Sequence, residues 1–199
     1  NLNARLDGDV DLGGDIAMVG NRYSGTFDGQ GHTLKFNWNA GKDDRIAPFW
    51  CVKDATIKNL RTQGKITSKG YNLSGMVRVA FGTTTLTGCI SDVDITGGNG
   101  GWNDSKAAGM VQAVADGASV HITDCLVKGS INASGAGRKG MGGFVYSQNG
   151  TCTFNNCLYL GTNNAIAGSN TFTYNATIIE TGTNSYRLAH TRARASVMG

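Results

Sequence analysis

Two aspartate pairs are the residues of this chain whose type and spacing best suit catalysis: Asp43/Asp44 and Asp92/Asp94. A glycosidase holds two carboxyl groups roughly 5–9 Å apart across a sugar, one as acid and the other as base or nucleophile. When the repeats described below are aligned, Lys65 lies beside Asp94 and Lys128 beside Asp92. Cross-strand charge pairing, worth about 0.2–1 kcal/mol per pair, is therefore the favoured role of the second pair. The first pair falls in a polar loop, so catalysis has little support.

An acidic N-terminal stretch is the main candidate for metal binding, and its aspartates are Asp7, Asp9, Asp11 and Asp15. Calcium takes several carboxylate oxygens, but the EF-hand pattern fails because Leu12 occupies its glycine position and Met18 its glutamate position. Strand alternation instead points Val10 and Leu12 inward and the aspartates outward, where charge protects an exposed strand edge. The histidines show no metal-ligand spacing; they are His32, His121 and His190. The sequence therefore predicts no metal and no cofactor.

The five cysteines suggest packing rather than redox or metal chemistry. Three of them, Cys89, Cys125 and Cys157, occupy the same position of a repeating frame. In a stacked sheet they would lie about one strand spacing apart, roughly 4.8 Å, as an inward ladder of small apolar side chains. Zinc sites need closely spaced ligands, and only Cys152 and Cys157 are near each other in sequence. We predict a structural ladder.

The elements that position these residues follow from that frame, which is an apolar residue, two polar residues, then Leu or Cys. It begins at Ile57, Leu86, Ile122 and Phe154, at steps of 29, 36 and 32 residues. A second frame, led by glycine, follows the first three at Gly75, Gly109 and Gly143, with both steps 34 residues long. Such self-similarity indicates stacked units that cannot bury their apolar faces alone.

Alternation within the repeats predicts strands. Val93 and Ile95 share one parity while Asp92 and Asp94 share the other, as expected of strands with one buried side. Thirty Gly and a single Glu argue against helices. We predict an all-β, right-handed parallel β-helix (β-solenoid) of about five coils with three short strands per coil. Residues 1–183 would form one domain, with the N-terminal strand and first coil in 1–36 and regular coils in 55–160. Residues 184–199 would form a C-terminal cap or linker.

The segment Tyr23–Leu34, YSGTFDGQGHTL, resembles the opening coil of bacterial surface proteins that carry the GLUG motif, where the pattern is F-x-G-x-F-D-G-x-G-H-x-I. Leu6–Leu12 is similar to their lead strand. The Gly-led frames fall where that family has G-L-F/V-G elements, although Arg78, Gln112 and Tyr146 replace the closing glycine. The resemblance covers roughly residues 2–160. It implies a pectate-lyase-like β-helix, secretion or surface attachment, and adhesion or glycan contact, with no catalytic residues.

One edge of the expected solenoid is the best candidate for a site. Successive coils carry loops over residues 39–45, 67–72, 97–106 and 133–139, and insertions in repeat proteins commonly gather on a binding face. The candidate ligand-binding residues in these loops are Tyr71, Trp102, Asn103, Asp104, Lys106, Arg138 and Lys139. Trp102, which follows a glycine-rich run, suits stacking on a sugar ring. The alternative is a Trp102 that folds back as a lid over the coil.

Composition excludes two classes of partner. The net charge of +4 is modest and only the tail arginines cluster, so no nucleic-acid stripe is present. No apolar run approaches the roughly 18 residues of a membrane span. We predict a non-enzymatic, secreted or cell-surface domain of a larger multidomain chain, which binds a glycan or a host or cell-surface ligand in adhesion.

Two alternatives remain for the function. The first is a polysaccharide lyase or glycoside hydrolase on the same scaffold. The second is an ice-binding or purely structural module, suggested by Thr-x-Thr segments such as Thr85-Leu86-Thr87. Alignment places Lys58 and His121 in the same outward ranks, where they interrupt the threonines, and the strand propensity of threonine is sufficient to explain the segments.

Overall fold

Short parallel strands, stacked coil upon coil, make up the architecture. The computed structural model describes residues 2–97, 106–133, 141–146, 149–161, 173–174, 177–181 and 186–187. The strands, in chain order, are β1 (Ala4–Arg5), β2 (Val10–Asp11), β3 (Tyr23–Asp28), β4 (Thr33–Asn39), β5 (Val52–Lys58), β6 (Arg61–Thr67), β7 (Leu73–Ser74), β8 (Val77–Phe81), β9 (Thr83–Thr87), β10 (Ile90–Gly97), β11 (Ala107–Ala108), β12 (Val111–Val114), β13 (Ser119–Thr123), β14 (Leu126–Val127), β15 (Ile131–Ala133), β16 (Met141–Gly142), β17 (Val145–Tyr146), β18 (Thr151–Asn155), β19 (Leu158–Tyr159), β20 (Thr173–Tyr174), β21 (Thr177–Thr181) and β22 (Tyr186–Arg187).

The strands of the described residues form three sheets, of eleven, eight and three strands, which we call the first, second and third sheets. A single turn of chain visits each of them: β9 lies in the first, β10 in the second, β11 in the third, and β12 returns to the first. Pairs between coils are parallel, for example β10 with β6 and β13 with β9. The all-β fold is thus a β-solenoid, as predicted, but of about four turns instead of five. The N-terminal strands β1 and β2 are only two residues long, too short to complete a coil.

The register predicted from the repeats is confirmed. Ile95 pairs with Ile66 on one neighbouring coil and with Ile131 on the other. The same ladder places Asp92 opposite Gln63 and Asp94 opposite Lys65. Because successive side chains of a strand point to opposite faces, the isoleucines enter the core and the aspartates face outward. The period-two pattern therefore fixed which face of the second sheet is buried.

Two apolar clusters fill the solenoid. The larger contains the first-frame residues Ile57, Leu86, Ile122 and Phe154. The smaller lies beside the loops and includes Phe36 and Trp38, whose rings stack with centroids 4.1 Å apart. Gly64 pairs with Phe36 on the adjoining strand. The φ of Gly64 is +129°, and a Cβ atom added to it would overlap the Phe36 carbonyl oxygen. The position therefore has no room for a side chain.

The turn from the first sheet to the second uses one conformation in coil after coil. The third position of the apolar-led frame has positive φ in all four copies: Asn59 (52°), Gly88 (62°), Asp124 (54°) and Asn156 (50°). Asn, Asp and Gly are the residues that tolerate this left-handed region. In the first coil the corner forms at Asp28, whose carboxylate accepts a hydrogen bond from the Gln30 N–H at 3.0 Å. Repeated corners of this kind keep the coils in register.

The acidic N-terminal stretch makes separate contacts rather than one cluster. Asp7 pairs with Arg5 at 2.9 Å and Asp11 with Lys35 at 3.3 Å. Asp9 accepts a hydrogen bond from the Thr33 N–H at 2.8 Å. The inward orientation predicted for Val10 and Leu12 agrees with the register, because Val10 pairs with Leu34, which packs against the core, and Leu12 packs against the smaller cluster, but Val10 is still 36% exposed. Strand β2 pairs on one side only, with β4, so the neighbouring coil covers Val10 incompletely.

Candidate ligand-binding face

A row of large polar and aromatic residues runs across the coils on the outer side of the first sheet. The fully buried Phe49, Val77, Val111 and Val145 pair in order across these coils. Each is followed in sequence by a residue that points to the opposite face. We call these four followers, Trp50, Arg78, Gln112 and Tyr146, the outward row. Parallel strands lie roughly 4.8 Å apart, so the row presents one such side chain per coil.

Arg78 is the charged member of the outward row. Its guanidinium carbon lies 5.2 Å from the centre of the Trp50 ring, a cation–π contact. Its Nε–H is buried and has no hydrogen-bond partner among the described residues. Burial lowers the pKa of the Arg78 guanidinium, and the nearby charge of Arg45 lowers it further. An arginine keeps its proton under such conditions, so a positive charge is held at the surface of the sheet.

Beside Arg78 the outward row borders a cleft of about 190 Å³. Its described lining residues are Asn72, Arg78, Lys106, Gln112, Ala113, Val114, Ala115, Tyr146 and Asn149. None of them carries a carboxylate. Gln112 is only 2% exposed although it lies on the outer face, and its side-chain carbonyl oxygen finds no partner in the described parts of the chain. The cleft therefore offers two cationic groups, several amides and a buried acceptor to a ligand.

The loop residues predicted as a site lie partly at this cleft. Lys106 lines it, and Tyr71 immediately precedes the lining residue Asn72. The loops of the first two coils contact one another, since the Arg45 N–H donates to the Tyr71 carbonyl at 2.9 Å and the Lys69 N–H to the Gly41 carbonyl at 2.7 Å. The other predicted residues fall outside the described residues: Trp102, Asn103, Asp104, Arg138 and Lys139.

Sequence reasoning missed the outward row as a functional feature. The signal was present in the Gly-led frames, because Arg78, Gln112 and Tyr146 stand where the GLUG pattern closes with glycine. Three large side chains therefore occupy one register position on successive coils, with Gln112 and Tyr146 buried there at 2% and 4% exposure. The recurrence of this departure from the GLUG pattern in all three Gly-led frames was the informative observation.

The acidic pairs have structural partners. Arg61 Nη2 donates to Asp92 Oδ2 at 2.6 Å, and Lys128 Nζ lies 3.5 Å from the same oxygen. The Lys128 contact agrees with the predicted alignment, whereas Arg61 was not foreseen. Asp94 accepts hydrogen bonds from the Ser130 N–H and hydroxyl at 2.9 and 2.7 Å. Both carboxylates therefore have structural partners, although Asp94 bonds to Ser130 and not to Lys65, which lies opposite it in the ladder.

In the loop pair, Asp44 lies 3.7 Å from Arg45 and the Asp43 backbone carbonyl accepts a bond from Ser68. The threonine ranks are arranged as aligned from sequence. Thr85 pairs with Thr56 and His121, and Thr87 pairs with Lys58 and Thr123. Lys58 and His121 therefore interrupt the outward threonines.

All five cysteines are buried free thiols. Cys89, Cys125 and Cys157 occupy consecutive coils, and each thiol donates to backbone carbonyls, for example Cys125 to Thr123 at 3.1 Å and Cys157 to Ile122 at 3.3 Å. Burial raises the pKa of the Cys152 thiol to about 12 and also raises the pKa of Cys157. The hydrogen bond with Cys125 lowers the pKa of the buried Cys89 thiol. The thiols whose pKa is raised stay neutral, and neutral thiols are poor nucleophiles and poor metal ligands. Within the described ranges, no three His, Cys, Asp or Glu residues are grouped to hold a metal.

A second depression near the N terminus already has its polar groups paired. It is lined by Asn3, Ala4, Arg5, Thr26, Asp28 and Lys58. Lys58 Nζ lies 3.1 Å from Asp28 Oδ2, and the Thr26 N–H donates to Asn3 Oδ1 at 2.9 Å. The unsatisfied groups of the cleft have no counterpart there.

The stacked coils of parallel strands make this chain a β-solenoid repeat protein. Comparisons with family models, with curated proteins and with solved structures found no match to this sequence. The resemblance to GLUG-motif proteins therefore rests on the sequence segments quoted above. The part of the chain that the structure describes has no helix of the length and apolarity needed to span a bilayer.

Proposed function

We propose that this β-solenoid is a non-enzymatic glycan-binding domain of a secreted or cell-surface protein, with a role in adhesion. The observation that carries the proposal is the outward row, which aligns Trp50, Arg78, Gln112 and Tyr146 on consecutive coils beside a cleft. The partly exposed Trp50 ring and Arg78 guanidinium offer flat faces to sugar rings, and amides exchange hydrogen bonds with hydroxyls. The resemblance to GLUG-motif surface proteins supports the location.

The direction of the row suits an extended ligand. It runs from coil to coil, along the axis on which the coils stack, so a linear saccharide could contact equivalent positions in turn. Asn72 and Lys106 reach the same cleft from the loop edge. The remaining loop candidates, including Trp102, stay predictions from sequence. An enzyme or an ice-binding face has no comparable support, because Asp92 is paired with two cations and the threonine ranks are broken.

A glycan array tests the proposal. The wild-type chain should bind at least one class of oligosaccharide, and Trp50→Ala should weaken that binding by 2- to 12-fold, the equivalent of about 0.5–1.5 kcal/mol for an aromatic contact. Trp102→Ala tests the loop edge in the same way. The matched control is Phe81→Ala, because Phe81 also lies under an arginine at 5.2 Å, but that arginine, Arg22, does not line the cleft, whereas Arg78 beside Trp50 does. A wild-type chain that binds no glycan, or equal losses in Trp50→Ala and Phe81→Ala, would contradict the proposal.

A further inference from the structure

We propose that the cleft recognises an acidic saccharide, with a carboxylate or sulfate ester of the sugar held by Arg78 and Lys106 and a neighbouring hydroxyl held by Gln112. The inference rests on the proposed function and adds to it the chemical class of the ligand. It is carried by three properties of the cleft: two cationic lining residues without an ion-pair partner among the described residues, two buried polar atoms of opposite type without partners in the same part of the chain, and a small volume.

Two positively charged residues, Arg78 and Lys106, line the same cleft. Other cations of the described surface are paired with aspartates, for example Lys35 with Asp11 and Lys58 with Asp28, or, like Lys53 and Lys65, have no ion pair and do not line the cleft. Neither Arg78 nor Lys106 has an ion-pair partner within the described ranges, and no described lining residue is acidic. Two cations facing one cleft without a carboxylate favour an anionic ligand group over a neutral one.

Two buried polar atoms of the cleft indicate which other group the ligand carries beside its negative charge. Arg78 Nε–H is a donor and Gln112 Oε1 an acceptor; both atoms are buried without partners among described residues, and both residues line the cleft. A free anion would accept from Arg78 but offer no proton to Gln112, whereas a neutral sugar would offer hydroxyls but leave the arginine charge uncompensated. A carboxylate or sulfate on a hydroxylated ring supplies both. Charge-assisted hydrogen bonds of this type are the stronger ones.

The volume limits how much of the ligand enters. The cleft measures about 190 Å³, below the roughly 300 Å³ at which pockets for whole small molecules begin. It therefore holds one charged substituent with its neighbouring hydroxyl. The rest of the saccharide would lie along the outward row, toward the indole of Trp50, which contacts Arg78.

Isothermal titration calorimetry with three oligosaccharides of equal length tests the inference: one of uronic acids, one sulfated, and one neutral. We expect an acidic oligosaccharide to bind at least tenfold more tightly than the neutral one, with affinity that falls as salt is raised because the charges are screened. Comparison of the carboxylated and sulfated probes identifies which acid is preferred. Inorganic sulfate and acetate serve as probes of the anion alone and should bind at least tenfold more weakly than the acidic oligosaccharides.

Arg78→Gln should remove the preference, so that the acidic oligosaccharide binds no better than the neutral one. Arg22→Gln is the matched control, since it makes the same change in an arginine that also contacts an aromatic ring at 5.2 Å, outside the cleft. Gln112→Glu should likewise reduce acidic binding at least tenfold by placing a carboxylate beside Arg78. If thermal unfolding shows that Arg78→Gln is not folded, Lys106→Gln takes its place and should also lose the preference for the acidic oligosaccharide. The salt dependence of binding to the wild type is then the second test.

The outcomes separate this inference from the proposed function. Neutral oligosaccharides binding as tightly as acidic ones, or without salt dependence, would overturn the acidic specificity and leave glycan binding standing. An equal loss in Arg22→Gln and Arg78→Gln would also overturn it, as would simple anions binding as well as the acidic oligosaccharides. Absence of binding to every saccharide would overturn both.

Discussion

Replacing Gln112 by methionine should make the free protein more stable. The side-chain carbonyl of Gln112 is buried, with the residue only 2% exposed, and has no hydrogen-bond partner among the described residues. A buried, unsatisfied polar group is destabilising by about 1–3 kcal/mol. Methionine has similar length and no strong acceptor, and a volume-conserving exchange usually costs less than about 1.5 kcal/mol. The net gain is about 1 kcal/mol, which for a domain of this size raises Tm by roughly 2–4 °C.

Urea and thermal unfolding of the two proteins measure the gain, and calorimetric titration with an acidic oligosaccharide should show the loss of binding in the same variant. Thr62→Val is the first control, since Thr62 is fully buried with an unpartnered hydroxyl but does not line the cleft. It should stabilise without affecting binding. Ser91→Ala is the second, because Ser91 Oγ donates to the Gly109 carbonyl at 2.6 Å, and its loss should destabilise by about 1 kcal/mol. A Gln112→Met protein destabilised as much as Ser91→Ala would refute the reasoning, since the amide would then be satisfied in the free protein.

Three further outcomes can be measured on the same scaffold. Gly64→Ala should destabilise by about 3 kcal/mol or more in urea unfolding, because φ is +129° and the new methyl would overlap the Phe36 carbonyl, whereas Gly8→Ala, with open space around it, should stay within about 0.5 kcal/mol. The Gln30 N–H, with help from Lys58, lowers the pKa of Asp28 from its ordinary 3.8 to about 2. The ionised Asp28 therefore contributes its full stabilisation of the folded state above pH 3.8 and loses it as the pH falls through about 2. The difference in free energy of unfolding between wild type and Asp28→Asn should shrink over that interval. A difference that stays constant with pH would contradict the assignment. Thiol titration should detect five groups only after denaturation, and rapid labelling of the native protein would show that burial does not suppress the thiolates.

The register of the second sheet was predictable to the residue. Ile66, Ile95 and Ile131 could be aligned because each sits in the same short alternating run, and a slip of one residue would have turned every apolar side chain to solvent. The Asp28 corner was predictable for a similar reason, since its glycines and aspartate act within a few residues. Most of the fold could therefore be predicted from interactions between residues that are close in sequence.

The candidate site was predictable only in part. Lys106 was found because it lies in a loop between two recognised frames. Gln112 was not, because its parity marks it as an outward residue and alternation alone predicts exposure, yet it is buried. Arg61 as a partner of Asp92 was missed because the two residues are 31 positions apart and lie on neighbouring coils at different register positions.

The architecture follows from interactions within a coil: apolar residues at every second position, a left-handed Asn, Asp or Gly at each corner, and too many glycines for helices. These are properties of neighbouring residues, so the amino-acid order alone decides them. The ligand-binding face has another origin. Whether Trp50, Arg78, Gln112 and Tyr146 form one row, and whether the atoms between them find partners, depends on side chains roughly thirty residues apart that meet only when the coils stack. Patterns among neighbouring residues do not predict those contacts, which form only when the coils are stacked in the tertiary structure.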